Sequence, residues 1–473
     1  MRSFALLAAA VAAALVNGCA LLTPPKQEDV QAQALPNLKT PAAWAAKGGA
    51  QGAVADSWLA GFRDPALEAF VREALEFNPD LRLAAARIER AAAYATQAGA
   101  KLYPQVNLLA RGGGKMSGDS SGLEGVGVFA SWELDLWGRV RSGREAARLE
   151  YASVELDAEY AQQSIAALVT KSWFLATEAR LQKALAESMV AAAQQLASLA
   201  RDRERIGKGD AYDVALAQAS VQSYLDAVHQ LDLAYQQALR ALEALAGRYP
   251  ATAAEVPAQL ASKPAPVPVG MPSELLERRP DVVAAERRVA AAFHRVEEAK
   301  TARLPQISLT ASATSISSEL FVLKNTSNPV IGLGASLLWP LFTGGALQSQ
   351  VEIRTAEQKM AVAEYGRIGA RAFGEVENAL SSEFTLEERA PILVRAVAEN
   401  ERALELANTR FRVGSGDLRG VQERQLALYA ARTTLLRVQA EQLVQRVNLY
   451  LALGGGFDAR PAGQARAPGA GGQ

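Results

Sequence analysis

The sequence predicts a mainly α-helical chain with a small β part, built by duplication of one unit. Three observations carry this prediction. Unlike landmarks recur at a fixed offset: Asn78-Pro79-Asp80 with Arg279-Pro280-Asp281, and Tyr103-Pro104-Gln105 with Leu304-Pro305-Gln306, both 201 residues apart. Trp132 and Trp339, Gly138 and Gly345, Gly207 and Gly414, and Gly247 and Gly454 are each 207 apart. Such self-similarity marks an internal repeat, with a period longer than that of ordinary solenoids. The second observation is a pair of short alternating segments in each copy. The third is a long helical stretch in each copy, followed by a shorter helical return.

Each copy reads in the same order. A helix follows the Pro-Asp phrase, over 81–101 and 282–303. Residues 307–314 (ISLTASAT) then alternate apolar with small polar side chains, the period-two pattern of a strand with one greasy face. Its partner is 330–338, and the first copy offers 105–111 and 126–134. Exposed loops are expected from Gly112 and in the Ser-rich stretch before Pro329, both rich in turn-forming residues. Four strands are too few to close a membrane barrel, whose smallest members have eight, so strands that meet lipid require several chains.

The long helices are predicted over 139–206 and 346–413. The first contains no proline; the second contains Pro391, where a kink or break is expected. At 1.5 Å per residue each measures roughly 100 Å. Leu185, Met189, Ala192, Leu196, Leu199, Arg203 and Ile206 recur at alternating steps of four and three. Val214, Gln218, Val221, Leu225, Val228, Asp232, Tyr235, Leu239 and Leu242 do the same on the return. This 3.5-residue period predicts left-handed supercoiling of helix on helix.

The duplicated phrases RERIGKGDAYDV and RFRVGSGDLRGV lie between each long helix and its return. Glycine ends a helix in the left-handed conformation, and aspartate caps the next helix by accepting from its first amides. Gly207, Lys208, Gly209 and Asp210, with Gly414, Ser415, Gly416 and Asp417, are therefore predicted hairpin tips. Capping alone accounts for these glycines and aspartates, so any further role falls to residues around them.

The N-terminus and the composition bound the function. An early Arg2 and an apolar run too short to span a bilayer precede Cys19, the only cysteine in 473 residues. An ordinary signal peptide cut near Gly18 is one reading; the other is a lipobox with Cys19 as the acylated first residue. Fifty cations balance fifty anions, which argues against nucleic acid as a partner. No second apolar stretch approaches the length of a membrane helix. An enzyme is not expected: the two histidines, His229 and His294, lie far apart, and HRVEE lacks the second histidine of a zinc-peptidase helix. No phosphate loop, nucleophile elbow, metal set or cofactor motif is found.

Several phrases in order resemble one family: WLAGFRDP from Trp58, FNPDL from Phe77, YPQ at Tyr103, WELDLWGR from Trp132, ERRPD from Glu277, LPQ at Leu304 and WPLFTGG from Trp339. Together they resemble the TolC/OprM-like outer-membrane efflux channels, in their lipoprotein branch, over roughly residues 58–456. The resemblance implies a homotrimer whose twelve strands form an outer-membrane β-barrel and whose long helices form a periplasmic α-barrel. It also implies an acylated Cys19 in the outer membrane, a periplasmic membrane-fusion adaptor meeting the tips, and an inner-membrane pump of the resistance-nodulation-division type. The conduit would be passive and gated, carrying small molecules. Asp213, Arg419 and Glu423 fall at positions implied to close the pore, with Arg419 a candidate partner for Asp213. One acidic position of the family is Gly420 here.

Trp132, Trp137, Trp339 and Phe342 lie at strand ends, either as an interfacial aromatic girdle or as packing at the strand-to-helix junction. The expected organisation is a signal peptide over 1–18, a lipid-anchored extended segment over 19–64 and a first repeat over 65–247. A linker over 248–271, a second repeat over 272–456 and a disordered tail over 457–473 follow. Two other functional readings stay open: a channel for polypeptide secretion, and a lipid-anchored coiled-coil spacer without a pore.

Overall fold

The computed structural model describes residues 24–50, 52, 54, 57–111, 123–318 and 330–456. Cys19, the signal segment, both strand-connecting loops and the C-terminal tail lie outside these residues. The elements in chain order are α1 (Gln27–Ala34), a 3-10 turn (Trp58–Phe62), α2 (Pro65–Phe77), α3 (Pro79–Ala100), β1 (Gln105–Arg111) and β2 (Leu123–Leu134). Then come α4 (Arg139–Arg205), α5 (Ala211–Leu245), a second 3-10 turn (Pro272–Glu274), α6 (Leu275–Arg278) and α7 (Pro280–Thr301). β3 (Gln306–Ser318), β4 (Val330–Leu338), α8 (Ala346–Arg412) and α9 (Leu418–Ala452) complete the chain. The predicted helices and strands are all present, with ends shifted by a few residues.

Pro391 does not interrupt α8, which runs unbroken through it. Proline removes one amide donor and frees one carbonyl. Both Glu387 and Pro391 are exposed, so water can satisfy that carbonyl.

The chain forms two compact units, each drawing on both repeats. One comprises the described residues of 39–84, 158–280 and 371–456, and it explains most of the signature phrases. Trp58 is buried and stacks on Tyr450 at 5.6 Å, while Phe62 packs on Phe174 at 5.0 Å. The Asp64 carboxylate accepts from the amides of Ala66 and Leu67, capping α2 behind Pro65, and also from the Trp173 indole at 3.0 Å. WLAGFRDP is thus an aromatic plug followed by a helix start.

The Pro-Asp phrases make the same contact twice. Asn78 Nδ2 donates to the carbonyl of Leu245 at 2.8 Å, and Arg279 Nη1 donates to that of Ala452 at 3.1 Å. Leu245 and Ala452 are themselves 207 residues apart, each the last residue of a return helix. Helix ends leave carbonyls without intrahelical partners, and here each repeat seals its own end. Gly454, at φ +67°, sits so close to Arg279 that a Cβ would come within 3.1 Å of its side chain.

Residues 248–271, expected as a linker, are pinned without forming helix. The Glu243 carboxylate accepts from Thr252 and Ala254, Arg180 donates to Val256, and Arg446 donates to Pro264 and Ala265. Arg446 is fully buried and paired with Glu383. The N-terminal chain is held in this unit by Glu377, which accepts from the amides of Ala45 and Ala46 at 2.9 and 2.7 Å.

The expected helical seam is present but displaced. Ala186, Met189, Val190, Ala193, Leu196, Ala197 and Ala200 are the buried positions on α4 between residues 185 and 206, and Ala217 replaces the exposed Gln218 on α5. Ile206 is exposed rather than seated. Alanines occupy the contact because small side chains let helix axes approach closely.

Arg446→Ala leaves Glu383 buried without its cation, and removal of one partner from a buried pair costs about 3–5 kcal/mol. Denaturant midpoints of the purified protein should fall accordingly, whereas Arg148→Ala, an exposed pair with Glu145, should shift them by less than about 1 kcal/mol.

Candidate functional site: a two-edged sheet and paired hairpin tips

The second unit, the described residues of 24–38, 85–157 and 281–370, carries the sheet. Its order is β1-β2-β3-β4, antiparallel throughout, so among the described residues β1 and β4 are each hydrogen-bonded on one side only. The register aligns Val106 with Ala130, Ala130 with Ala311 and Ala311 with Leu333. Because side chains alternate, one face therefore carries Val106, Leu108, Val126, Val128, Trp132, Ile307, Leu309, Ile331, Leu333 and Leu337. It is apolar from edge to edge and open, with Leu108 at 70% exposure, Ile331 at 76% and Leu333 at 86%.

The opposite face carries Gln105, Asn107, Ser131, Glu133, Gln306, Ser308, Thr310, Ser312, Thr314 and Ser336, interrupted by Leu109, Phe129, Val330 and Leu338. Gly127, Gly332 and Gly334 lie on it, and a Cβ at Gly332 would come within 2.9 Å of the Ser312 hydroxyl. Small side chains suit the inside of a curved sheet, where neighbours converge. β2, β3 and β4 have 12, 13 and 9 residues, enough for a tilted membrane crossing. No helix among the described residues is long and apolar enough to cross a membrane.

The four aromatic candidates divide into two pairs. Trp132 donates its indole N–H to the carbonyl of Leu102 at 2.9 Å, and Trp137 donates to that of Pro305 at 2.7 Å. Each therefore ties β2's end to one of the two Pro-Gln turns. Glu133 accepts twice from Arg139, and Asp135 accepts from the amides of Val140 and Arg141 to cap α4. Trp339 and Phe342, at the end of the edge strand β4, are instead 57% and 91% exposed. WPLFTGG has none of these charged partners.

At the far end of the hairpins, Gly207 and Gly414 take φ +72° and +81°, the left-handed conformation that glycine adopts without strain. Asp210 accepts from the amide of Asp213 at 2.9 Å, and Asp417 from that of Gly420 at 2.7 Å. The amides of Lys208, Ser415 and Gly416 bond back to the Arg203 and Arg410 carbonyls, and Gly209 completes the first turn. Ile206 and Val413, equivalent in the repeat, are 62% and 73% exposed.

Arg419 hydrogen-bonds the Tyr212 hydroxyl at 2.9 Å rather than the Asp213 carboxylate, a correction to the expected pairing within one chain. The guanidinium reaches one residue short of Asp213, whose own amide is turned back onto Asp210. Burial holds the Asp213 carboxyl above its usual range, aided by Asp210 and Asp417 and opposed by Arg203. Glu423 is exposed beside Arg424. A second bridge joins the return helices, from Gln422 Nε2 to Ser220 Oγ at 3.1 Å.

Sequence reasoning missed the residue that joins the tips. Arg203 donates to the carbonyls of Phe411 and Lys208 and lies 4.6 Å from the centre of the Phe411 ring. Phe411 is buried with Leu196, Ala200, Ala217, Leu418 and Val421. The signal was a broken symmetry: position 411 is Phe where the first copy has Glu204. Among the described residues no group of three His, Cys, Asp or Glu could hold a metal ion.

The family model of the outer membrane efflux protein matches residues 70–248 and 271–455. The chain is 30% identical to the probable efflux pump outer membrane protein TtgC of Pseudomonas putida, over 96% of each chain. It is 29% identical to the cation efflux system protein CusC of Escherichia coli, over 85% of this chain and 88% of that one. The solved outer-membrane channel OprN aligns with a TM-score of 0.79 at 27% identity, covering 90% of this chain and 99% of that one. A duplicated match across both repeats, a sheet with one apolar face and two open edges, and paired capped tips agree on one assignment: the chain belongs to the outer membrane efflux protein family.

Proposed function

We propose that this protein is the outer-membrane channel of a tripartite efflux system, a passive gated conduit for small molecules. The observation that carries the reading is the sheet. Its apolar face needs lipid, and its two unpaired edges need strands that the described residues of one chain do not supply, because unpaired backbone groups are not tolerated in hydrocarbon. Copies joined β4 to β1 around a closed ring satisfy both conditions. Three copies give a twelve-stranded barrel, with Trp339 and Phe342 at the joint between neighbours or against lipid. Acylation of Cys19 would add a second anchor in the same membrane.

Inside that barrel the polar positions named above other than Glu133 are hydroxyl or amide, set among glycines, Leu109 and Phe129, and the charge of Glu133 at one end is paired with Arg139. Such a wall selects poorly by charge, which supports leaving cargo choice to an adaptor and an inner-membrane pump. The exposed Ile206 and Val413 at the tips are the surface offered to the adaptor. CusC bears the name of a cation efflux system and TtgC that of an efflux pump, so the same architecture carries different cargo labels. Closure at the tips falls to the Arg419–Tyr212 and Gln422–Ser220 bridges, which hold α9 against α5, with Asp213 and Glu423 charging the approach.

Purified protein added to a planar lipid bilayer should give discrete, long-lived conductance steps. A silent bilayer with correctly folded protein would leave the coiled-coil spacer as the better account. Leu333→Arg, which puts a charge on the lipid face, costs about 2–4 kcal/mol per chain at the midplane and should sharply reduce the outer-membrane fraction. Ser312→Arg, on the other face, should insert normally and shift the channel toward anion selectivity.

Arg419→Ala should raise single-channel conductance severalfold while changing stability by less than about 1 kcal/mol, since the contact is exposed. Unchanged conductance in this variant would reduce Arg419 to a solvated helix charge.

A further inference from the structure

The first turns of α4 show two different sides. Glu133 shares the polar face of β2 with Ser131, and it accepts twice from Arg139. Arg139 therefore lies toward the polar-face side, and Gly143, Ala147, Glu150 and Val154 follow it along one stripe of the helix. The opposite stripe, with Arg141, Glu145 and Arg148, shares a pocket with Gln27 and Val30 of α1. On the polar-face side α4 is the floor of an open groove of about 480 Å³, flanked by α3 and α7. Gly143 keeps that floor open, since a Cβ there would come within 2.8 Å of the Glu298 carboxylate.

The charges of this groove do not balance. Five cations line it against two anions, Glu150 and Glu298. Arg139 is held by Glu133, and Arg295 stands 3.6 Å from Glu150. Arg90, Lys101 and Arg144 are exposed, with no hydrogen-bond or ion-pair partner among the described residues. Even with Glu133 counted, the groove keeps a surplus of two positive charges per chain. Arg90, Tyr94, Gln97 and Lys101 recur at steps of four, three and four, so they form one stripe, about 16 Å long, facing α4. Tyr94, 61% exposed, offers an aromatic surface between the two cations.

We infer that this groove is a charge filter on the conduit, favouring cargo that carries an anionic group on an aromatic or apolar body. Closing the sheet into a ring turns its polar face inward, so the polar-face side of α4 lines the lumen next to the barrel. Each copy of the ring then adds its own positive surplus to the wall. A concave wall of one sign raises the local concentration of the opposite charge. The inference rests on the outer-membrane channel reading and adds a cargo class to it.

The test uses single channels of the full-length protein in a neutral phosphatidylcholine bilayer. Two probes of one ring system, naphthalene-1-sulfonate and 1-naphthylmethylammonium, are added on the barrel side, so each reaches the start of α4 before its far end. The sulfonate should block wild-type conductance at about tenfold lower concentration than the ammonium, and added salt should weaken that preference. The triple variant Arg90→Gln, Lys101→Gln and Arg144→Gln should lose the preference. Arg90→Lys with Arg144→Lys, which keeps each charge, should retain it, as should Arg148→Gln on the stripe toward α1. Circular dichroism checks the fold of each variant. Equal block by the two probes, or a preference that the triple variant keeps, would overturn the inference. Folded wild-type protein that never conducts strikes the channel reading, while conduction without anion preference strikes only the charge filter.

Discussion

The unpaired outer edges of β1 and β4 are the constraint on which the rest of the structure depends. A four-stranded sheet with one apolar face could in principle lay that face on helices of its own chain. Here Leu108, Ile331 and Leu333 remain open instead, and no helix among the described residues covers them. Backbone donors and acceptors at the two edges demand strand partners, and the apolar face demands hydrocarbon. Only closure with further copies meets both demands, because a barrel removes edges altogether. The polar face then becomes an interior, and its glycines and hydroxyls fit the tighter inner radius.

Duplication explains how one chain serves such a ring. Each repeat supplies a strand pair, a long helix and a return, and each closes its return with a donor from the Pro-Asp phrase: Asn78 in one copy, Arg279 in the other. The copies then diverge where their neighbours differ. The β2-to-α4 junction satisfies itself through Trp132, Trp137, Glu133 and Asp135, and β2 is an interior strand. The β4-to-α8 junction leaves Trp339 and Phe342 bare, and β4 is an edge. Arg203 and Phe411 are a second divergence, locking the two tips to each other within one chain.

Much of this was legible in the sequence, for identifiable reasons. Strand alternation at 307–314 and the Gly-x-Gly-Asp tips are local patterns, set by backbone geometry within a few residues, so they were read correctly. The Arg446–Glu383 pair was not legible, since a charged helical residue reads as solvated until its long-range partner is known. The seam was displaced because alanines, indifferent between core and surface, carried the true contact at Ala186, Ala193 and Ala200. Pro391 did not break its helix because its freed carbonyl faces water, which sequence alone does not disclose. Arg419 met Tyr212 instead of Asp213 through a choice between adjacent residues, finer than any pattern resolves.

Electron cryomicroscopy of the full-length acylated protein in lipid nanodiscs tests the central claim most directly. The account predicts a three-fold particle with β4 of each copy hydrogen-bonded to β1 of the next, the apolar face outward and the serine- and threonine-rich face lining a continuous lumen. Monomeric or dimeric particles with both edges unpaired, or a sheet whose apolar face packs on protein instead of lipid, would contradict it.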